Sequence, residues 1–220
     1  MSKENNVLEG SEIISAERLL IGLRNKSNGD KIAVTEEQYE SLDMSEFDVD
    51  GIILRDDDEI NFMISKDEDI RCFSFEGKDD IPEDDKSRKK FIPPTMNELN
   101  GAELTDYLLA NHPHKYDRDG CAICYCKDYG EGYFMPSGGE LSAIFNHKED
   151  IDSLMGLINA TALNGEKYWV STQFSEDYSW HYDVEQGFFA FWLSKKNVMS
   201  VRPIKDASEY IEMVVDSEID

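Results

Sequence analysis

The stretch that most constrains the fold is residues 132–141, which read GYFMPSGGEL. Aromatic residues lead into Pro136, and Ser137 and Glu140 stand three residues apart. This is the spacing of a capping box, in which the hydroxyl accepts a hydrogen bond from the third helical amide and the carboxylate reaches back to the N-cap amide. An apolar stripe begins at Leu141. We therefore predict a strand that ends at Pro136 and a helix that follows Ser137, packed together in the core.

The composition of the chain indicates a globular protein with an acidic surface. Hydrophobic residues make up 40% of its 220 residues and aromatic residues 11%, which is enough for one large domain or two small ones. The net charge of -25 would repel the phosphates of nucleic acids and of anionic lipids, so we expect no nucleic-acid partner. Such acidity favours solubility, and it also suits docking on a basic partner.

The sequence contains no recognisable targeting or membrane segment. It begins MSKENN without an apolar segment behind it, so we expect no secretory signal peptide. No run approaches the roughly 20 apolar residues that span a bilayer, so we expect no membrane insertion. Cysteines of a protein made in the cytosol are usually thiols, and we expect this of all four, which are Cys72, Cys121, Cys124 and Cys126.

Residues 1–90 predict a small β-rich unit. Residues 31–34 indicate a strand, and Thr35 with Gln38 in capping-box spacing opens a short helix. Residues 51–54 and 60–64 predict a hairpin around a charged turn, and residues 70–75 predict a third strand. Residues 79–90 are a charge run without periodicity, which is typical of a linker or surface loop. We therefore place a domain boundary at residue 90, before a second domain of residues 91–220.

Residues 91–220 predict helices followed by strands. Thr95, Ser137 and Asp150 are candidate N-caps of three helices. Four aromatic-rich segments then follow with short turns between them, which predicts a meander; they are residues 168–172, 178–182, 188–193 and 198–203. Helices beside such a meander define the α+β class.

Several segments of the second domain match motifs in order. Residues 126–141 (CKDYGEGYFMPSGGEL) resemble the signature "C..Y..G..WYLPS.GEL" of a C-type-lectin-like family. Gut bacteria and their phages carry many copies of it, including the major paralogous domain of Fibrobacter succinogenes. Similar motifs follow, and the resemblance covers about residues 92–206; its further segments are residues 100–101, 158–159, 168–173, 179–182 and 201–204. It implies a C-type-lectin-like fold, in which two helices flank a small twisted antiparallel sheet.

The resemblance also implies a binding role. Members of this family serve mostly as binding or display modules on cell surfaces and phage particles. The chain lacks the EPN, QPD and WND motifs of calcium-dependent sugar binders, so we expect no calcium-mediated glycan binding. With no export signal, a phage virion is favoured over the bacterial cell surface. We expect a non-enzymatic virion protein, a tail or capsid appendage that attaches to other virion proteins or to a host receptor or glycan. The alternative is a bacterial lectin-like module of unknown ligand, in the cytoplasm or on the cell surface.

The residues that could bind a metal make a weak pattern. Cys121, Cys124 and Cys126 lie downstream of His112 and His114, but zinc usually takes two well-separated ligand pairs. The acidic groups at residues 56–59 and 79–85 lack the EF-hand pattern and are interpreted as solvated loops. No serine or cysteine has a base beside it in the sequence. We therefore predict no metal, no other cofactor and no enzymatic activity.

The aromatic residues of the second domain exceed what one face of a small sheet needs. Side chains alternate between the faces of a strand, so the neighbouring aromatics of residues 188–192 cannot all point inward. His181 should face away from Trp180 and Tyr182; we interpret it as a solvated histidine, with ligand contact as the alternative. Exposed aromatics favour contact with a partner or a sugar, and we expect a homo-oligomer. The candidate contact residues are Tyr178, Trp180, His181, Tyr182, Phe188, Phe189, Phe191 and Trp192.

Overall fold

The computed structural model describes residues 18–55, 60–73, 99–111, 121–173 and 178–213. These residues form two mixed β-sheets, of six and five strands, with a few helices packed on them. The predicted fold, a C-type-lectin-like α+β domain with two helices flanking one small sheet, is therefore wrong. The reason is that strands from the first half of the chain pair with strands from its last quarter, which builds two larger sheets.

The described residues form eleven strands and five α-helices. They are β1 (Arg18–Asn25), β2 (Lys31–Val34), α1 (Glu36–Ser41), β3 (Phe47–Arg55), β4 (Asn61–Ser65), β5 (Asp69–Cys72), α2 (Gly101–Asn111), α3 (Ala122–Tyr129), α4 (Gly138–Asn146), α5 (Lys148–Leu157), β6 (Lys167–Gln173), β7 (Ser179–Asp183), β8 (Phe188–Ala190), β9 (Val198–Val201), β10 (Ile204–Asp206) and β11 (Ile211–Glu212). A short 3-10 turn, Met44–Glu46, precedes β3. No helix in the described part of the chain is long and apolar enough to cross a membrane.

The six-stranded sheet has the order β10-β4-β3-β1-β2-β11. The predicted hairpin of the first unit is confirmed, because β3 and β4 pair antiparallel with Ile52 opposite Ile64. The short strands β10 and β11 complete the sheet at its two edges, β10 antiparallel to β4 and β11 parallel to β2. Their pairing ties the end of the described chain to its beginning.

The five-stranded sheet has the order β5-β9-β6-β7-β8. The strands β6, β7 and β8 form the predicted meander. The fourth strand, β9, does not continue it: β9 returns to the other side of β6, runs parallel to β6 and pairs with β5. The predicted third strand of the first unit, β5, thus belongs to this second sheet. Both sheets combine strands from either side of the boundary predicted at residue 90, and that boundary stays a prediction.

The main core lies between the two sheets, where α4 and α5 pack. It combines Ile52 and Ile64 of the first sheet with Leu141 and Ile151 of the helices and Val170 of the second sheet. A second cluster covers the opposite face of the second sheet, where Trp169 meets apolar residues of α2 and α3. A third covers the outer face of the first sheet. Because the second sheet is covered on both faces, neighbouring apolar residues on its strands can all be buried.

The predicted capping boxes account for two helices. Thr35 with Gln38 caps α1, and Ser137 with Glu140 caps α4, as the spacing indicated. The cap predicted at Asp150 is wrong, since α5 begins at Lys148 and Asp150 lies in its first turn. The helix α3 was not predicted. The cap predicted at Thr95 and the charged run of residues 79–90 lie outside the described residues.

Arg202 joins the two sheets. Its side chain is fully buried, and its guanidinium donates to the carbonyl of Ser65, at the end of β4, and to the Glu68 carboxylate, at 3.1 and 2.9 Å. It also donates to the carbonyl of Thr161, after α5, at 2.9 Å. Glu68 in turn accepts from the Tyr168 hydroxyl of β6 at 2.5 Å. The planar fork of arginine suits such simultaneous contacts.

Candidate functional site

The hairpin of β7 and β8 carries most of the predicted contact residues. In its register His181 lies opposite Ala190, and Tyr182 opposite Phe189. Burial alternates along β7, with His181 buried and its neighbours Trp180 and Tyr182 half-buried. The predicted alternation of these side chains is therefore confirmed. The strand β8 is an edge strand, since β7 is its one neighbour within the described sheet.

One face of this hairpin packs against α4. Tyr182 stacks on Phe145 of α4 with ring centroids 4.4 Å apart, and the Phe189 ring lies 5.0 Å from Tyr182. Further out, Trp180 meets Phe191 edge to face at 4.9 Å. Offset and edge-to-face pairs at these distances are favourable beyond the area that they bury. This face therefore belongs mainly to the core, and Phe191 is its most exposed ring.

The opposite face of the hairpin encloses His181. The imidazole has no exposed surface and lies between Trp169 and Trp192, with both ring centroids at 6.0 Å. Our interpretation of His181 as a solvated histidine is therefore wrong, because the second sheet is covered on this side too. Among the described residues, neither ring nitrogen finds a hydrogen-bond partner of normal geometry. Burial lowers the pKa of His181, against smaller opposing effects of the Ser179 backbone and the Asp183 carboxylate.

The rings at the outer end of the hairpin are exposed. Phe188, Phe191 and Trp192 keep 43%, 37% and 54% of their surface accessible, and the Trp192 ring lies 6.1 Å from Phe188 and 6.3 Å from Phe191. We call these three residues the aromatic edge. Tyr178 is exposed nearby, where it bridges to Ser194. Of the eight predicted contact residues, these four present substantial surface to a partner.

The cysteines are structural groups. All four are free thiols in buried positions. The Cys121 sulfur accepts a hydrogen bond from the Cys124 amide at 3.2 Å and so caps α3. Burial raises the pKa of Cys126 well above its ordinary value, which keeps the thiol protonated and unreactive. His112 and His114 lie outside the described residues, and within those residues no group of three or more potential ligands could hold a metal ion. The absence of a metal stays a prediction.

A polar cleft on the first sheet has no counterpart among the predicted sites. This cleft has a volume of about 610 Å³ and is lined by residues of β1, β2, β3 and β10, by the turn after α3 and by the loop after β10. Four basic side chains line it, and they are Arg24, Lys31, Lys66 and Lys205. These residues are scattered over the chain without a motif, so the sequence gives no local signal of the cleft.

Comparison with known proteins assigns no family. No family model matches the chain, and no curated protein matches it. Among solved structures, a fimbrial protein from Bacteroides ovatus is similar at 16% identity with a TM-score of 0.46. The similar region covers 67% of this chain and 36% of that protein. A likeness at this level supports no assignment of fold or function.

Proposed function

We propose that this chain is a non-enzymatic structural protein of a phage particle, a tail or capsid appendage, which assembles through its aromatic edge with a second copy of itself. The observation that carries the proposal is the cluster of exposed rings, Phe188, Phe191 and Trp192, at the edge where β8 pairs with no further strand of the described sheet. Exposed aromatic clusters of this kind are typical of interfaces, where they supply much of the binding energy.

Within the described residues, the β8 edge lacks the features that normally prevent association. An edge strand presents unpaired backbone groups, and proteins usually protect it with charged residues, proline or a covering element. Residues 187–194 contain no charged residue, in a chain in which charged residues make up 31%. An uncharged, aromatic edge is a surface that a second strand would cover.

The charges that flank this segment favour a second copy as the occupant. Glu185 precedes the uncharged segment and Lys196 follows it, and both side chains are exposed. If two copies pair antiparallel along β8, Glu185 of each copy approaches Lys196 of the other. The edge is therefore self-complementary in charge, as a twofold interface requires. Local complementarity of this kind offsets part of the repulsion between two acidic chains.

The setting in a phage particle is supported by the resemblance of residues 126–141 to modules that gut bacteria and their phages carry. A second candidate is a bacterial protein that binds a small ligand, which the polar cleft favours. The two candidates differ in the surface that they use, so the aromatic edge and the cleft can be tested separately.

The test is the molar mass in solution, measured by light scattering over a range of protein concentrations. We expect a multimer for the natural sequence and a monomer for Phe188→Lys. The matched control is Ile70→Lys, because Ile70 is 65% exposed on β5, at the opposite edge of the same sheet. This variant carries the same added charge and should keep the multimer.

A charge exchange tests the antiparallel arrangement. Glu185→Lys should weaken the multimer, because two lysines then meet across the interface, and adding Lys196→Glu should restore it. A natural sequence that stays monomeric at high concentration would refute the assembly proposal. An equal response to Phe188→Lys and Ile70→Lys would show that another surface makes the contact.

A further inference from the structure

We propose that the polar cleft binds an acidic sugar, a pyranose unit that carries a carboxylate, without the help of a metal ion. The cleft lies on the first sheet and the aromatic edge on the second, so this binding is independent of self-association. Its volume of about 610 Å³ lies within the range of about 300–1,000 Å³ that is usual for small-molecule sites.

Lys205 of β10 is the central cation of the cleft. Its side chain is 12% exposed, and its Nζ lies 5.2 Å from the ring centroids of both Tyr133 and Tyr210. The ammonium donates to the Tyr210 hydroxyl at 3.1 Å, and this hydroxyl donates to Asp50 at 2.7 Å. Burial lowers the pKa of Lys205, because the ammonium has lost much of its water. The Glu209 carboxylate lies 3.9 Å from this ammonium and is shared with Lys31, so a ligand carboxylate beside Lys205 would stabilise its charge further.

Lys66 supplies a second cation that is not already neutralised. Its side chain is half-buried in the lining of the cleft, and it forms no ion pair within the described residues. By contrast, Arg24 is paired with Asp50 at 3.3 Å. Lys31 is paired with Glu209, and the same carboxylate lies 3.9 Å from the Lys205 ammonium. Lys66 is therefore the main group that would hold an anionic part of a ligand, and Lys205 would assist by exchanging its long contact with Glu209 for the ligand.

The carboxylates of the cleft decide the class of ligand. Four of them share the lining with the four basic groups, and they are Asp50, Glu131, Asp206 and Glu209. A polyanion such as nucleic acid would meet these carboxylates as well as the acidic surface of the whole chain. A ligand with one negative charge and several hydroxyls uses both the donors and the acceptors. An acidic sugar has this composition.

Tyrosine rings provide the apolar part of such a site. Tyr129 and Tyr133 line the cleft with ring centroids 4.7 Å apart in an edge-to-face arrangement. Aromatic side chains with a polar tip offer a ring face to the carbon–hydrogen face of a sugar and a hydroxyl to its oxygens. Because Tyr133 is buried and lies under Lys205, Tyr129 is the ring that a sugar would contact. A ring beside opposite charges distinguishes the cleft from a site for a simple anion.

Isothermal titration calorimetry with defined ligands tests the proposal. The acidic probes are digalacturonate and sialyllactose; the neutral probe is lactose, and inorganic sulfate represents a simple anion. We expect one acidic sugar to bind and lactose and sulfate not to. Lys66→Met and Lys205→Met should each weaken this binding by about tenfold or more, since each removes a charged hydrogen bond. The control is Lys26→Met, which removes an exposed lysine outside the cleft.

Each contrary outcome overturns a definite part of the proposal. Absence of binding to both acidic sugars, or equal binding of lactose, would refute an acidic-sugar site. If sulfate bound as tightly as the acidic sugars, the cleft would be a site for simple anions and not for sugars. Binding that survives both Lys66→Met and Lys205→Met would place the ligand elsewhere. Because Lys205 is packed on two tyrosines, Lys66→Met provides the independent test should Lys205→Met fail to fold.

Discussion

His181 shows how a sequence pattern can give the direction of a side chain and still mislead about its environment. Alternation along β7 predicts that His181 faces away from its neighbours, and it does. The pattern cannot show whether that face is covered, because the cover comes from Trp169 of β6 and from Trp192 beyond β8. A neutral imidazole between two indoles therefore takes the place of the solvated group that we had inferred.

The buried histidine makes stability depend on pH in a definite direction. The pKa of His181 in the folded protein lies below its ordinary value of 6.5, so the unfolded chain takes up a proton first as the pH falls. Stability that is present above pH 6.5 is therefore lost as the pH falls towards the folded pKa. We expect His181→Phe to reduce this loss, because phenylalanine stays neutral between the two indoles.

The measurement is the free energy of unfolding in urea at pH 7.5 and at pH 5.5, for both proteins. Carboxylates contribute equally to the two, so the difference between the two pH dependences isolates His181. An equal loss of stability in both proteins would show that the imidazole is already protonated, or hydrated, in the folded state.

At the scale of single elements, the capping box of α4 reaches beyond its own helix. Ser137 and Glu140 are buried, and the Glu140 carboxylate accepts from the amide of Ser137 at 2.7 Å and from the amide of Gly101, at the start of α2, at 3.3 Å. Burial raises the pKa of Glu140 despite these hydrogen bonds. Residues 132–141, from which the fold prediction started, thus form a structural junction between α2 and α4.

The two capping boxes should differ in their contribution to stability. Ser137→Ala should cost about 1–2 kcal/mol, because it leaves a buried helix amide without its partner. Thr35→Ala, at the same position of the box in α1, should cost less than about 1 kcal/mol, since α1 contains no buried residue and water can reach its amides. Urea unfolding of both variants measures the difference. Equal losses would show that burial adds nothing to the α4 cap.

The elements that were predicted correctly share a short range in sequence. A capping box spans three residues, and the β3–β4 hairpin joins neighbouring strands, so local patterns contain the necessary information. The pairing of β11 with β2 and of β9 with β6 joins distant segments through strands of two to seven residues. Short strands fix their register through the finished core, and no local pattern encodes it. The polar cleft could not be predicted for the same reason, since its lysines come together only after β10 has paired with β4.

For the whole molecule, two features indicate one cooperative unit. Each sheet contains strands from both halves of the chain, and the Arg202 network joins the two sheets. The first sheet needs β10 and β11, the second needs β5, and Arg202 bonds to Ser65 and Glu68 while Tyr168 shares the same carboxylate. If the two sheets unfolded separately, a change at Arg202 would weaken one of them alone. Cooperative unfolding would weaken both.

Hydrogen exchange of backbone amides in Arg202→Met distinguishes these cases. Removal of the guanidinium leaves the Glu68 carboxylate without its cation and several carbonyls without a donor. This should cost about 3 kcal/mol or more and speed exchange through global unfolding by roughly a hundredfold. We expect the same factor for Ile53 of the first sheet and Val170 of the second, because one unfolding event exposes both. Lys127→Met is the control: it breaks an exposed ion pair with Asp106 and should cost less than about 1 kcal/mol. Faster exchange confined to one sheet would mean that the sheets unfold independently in spite of the Arg202 network that joins them.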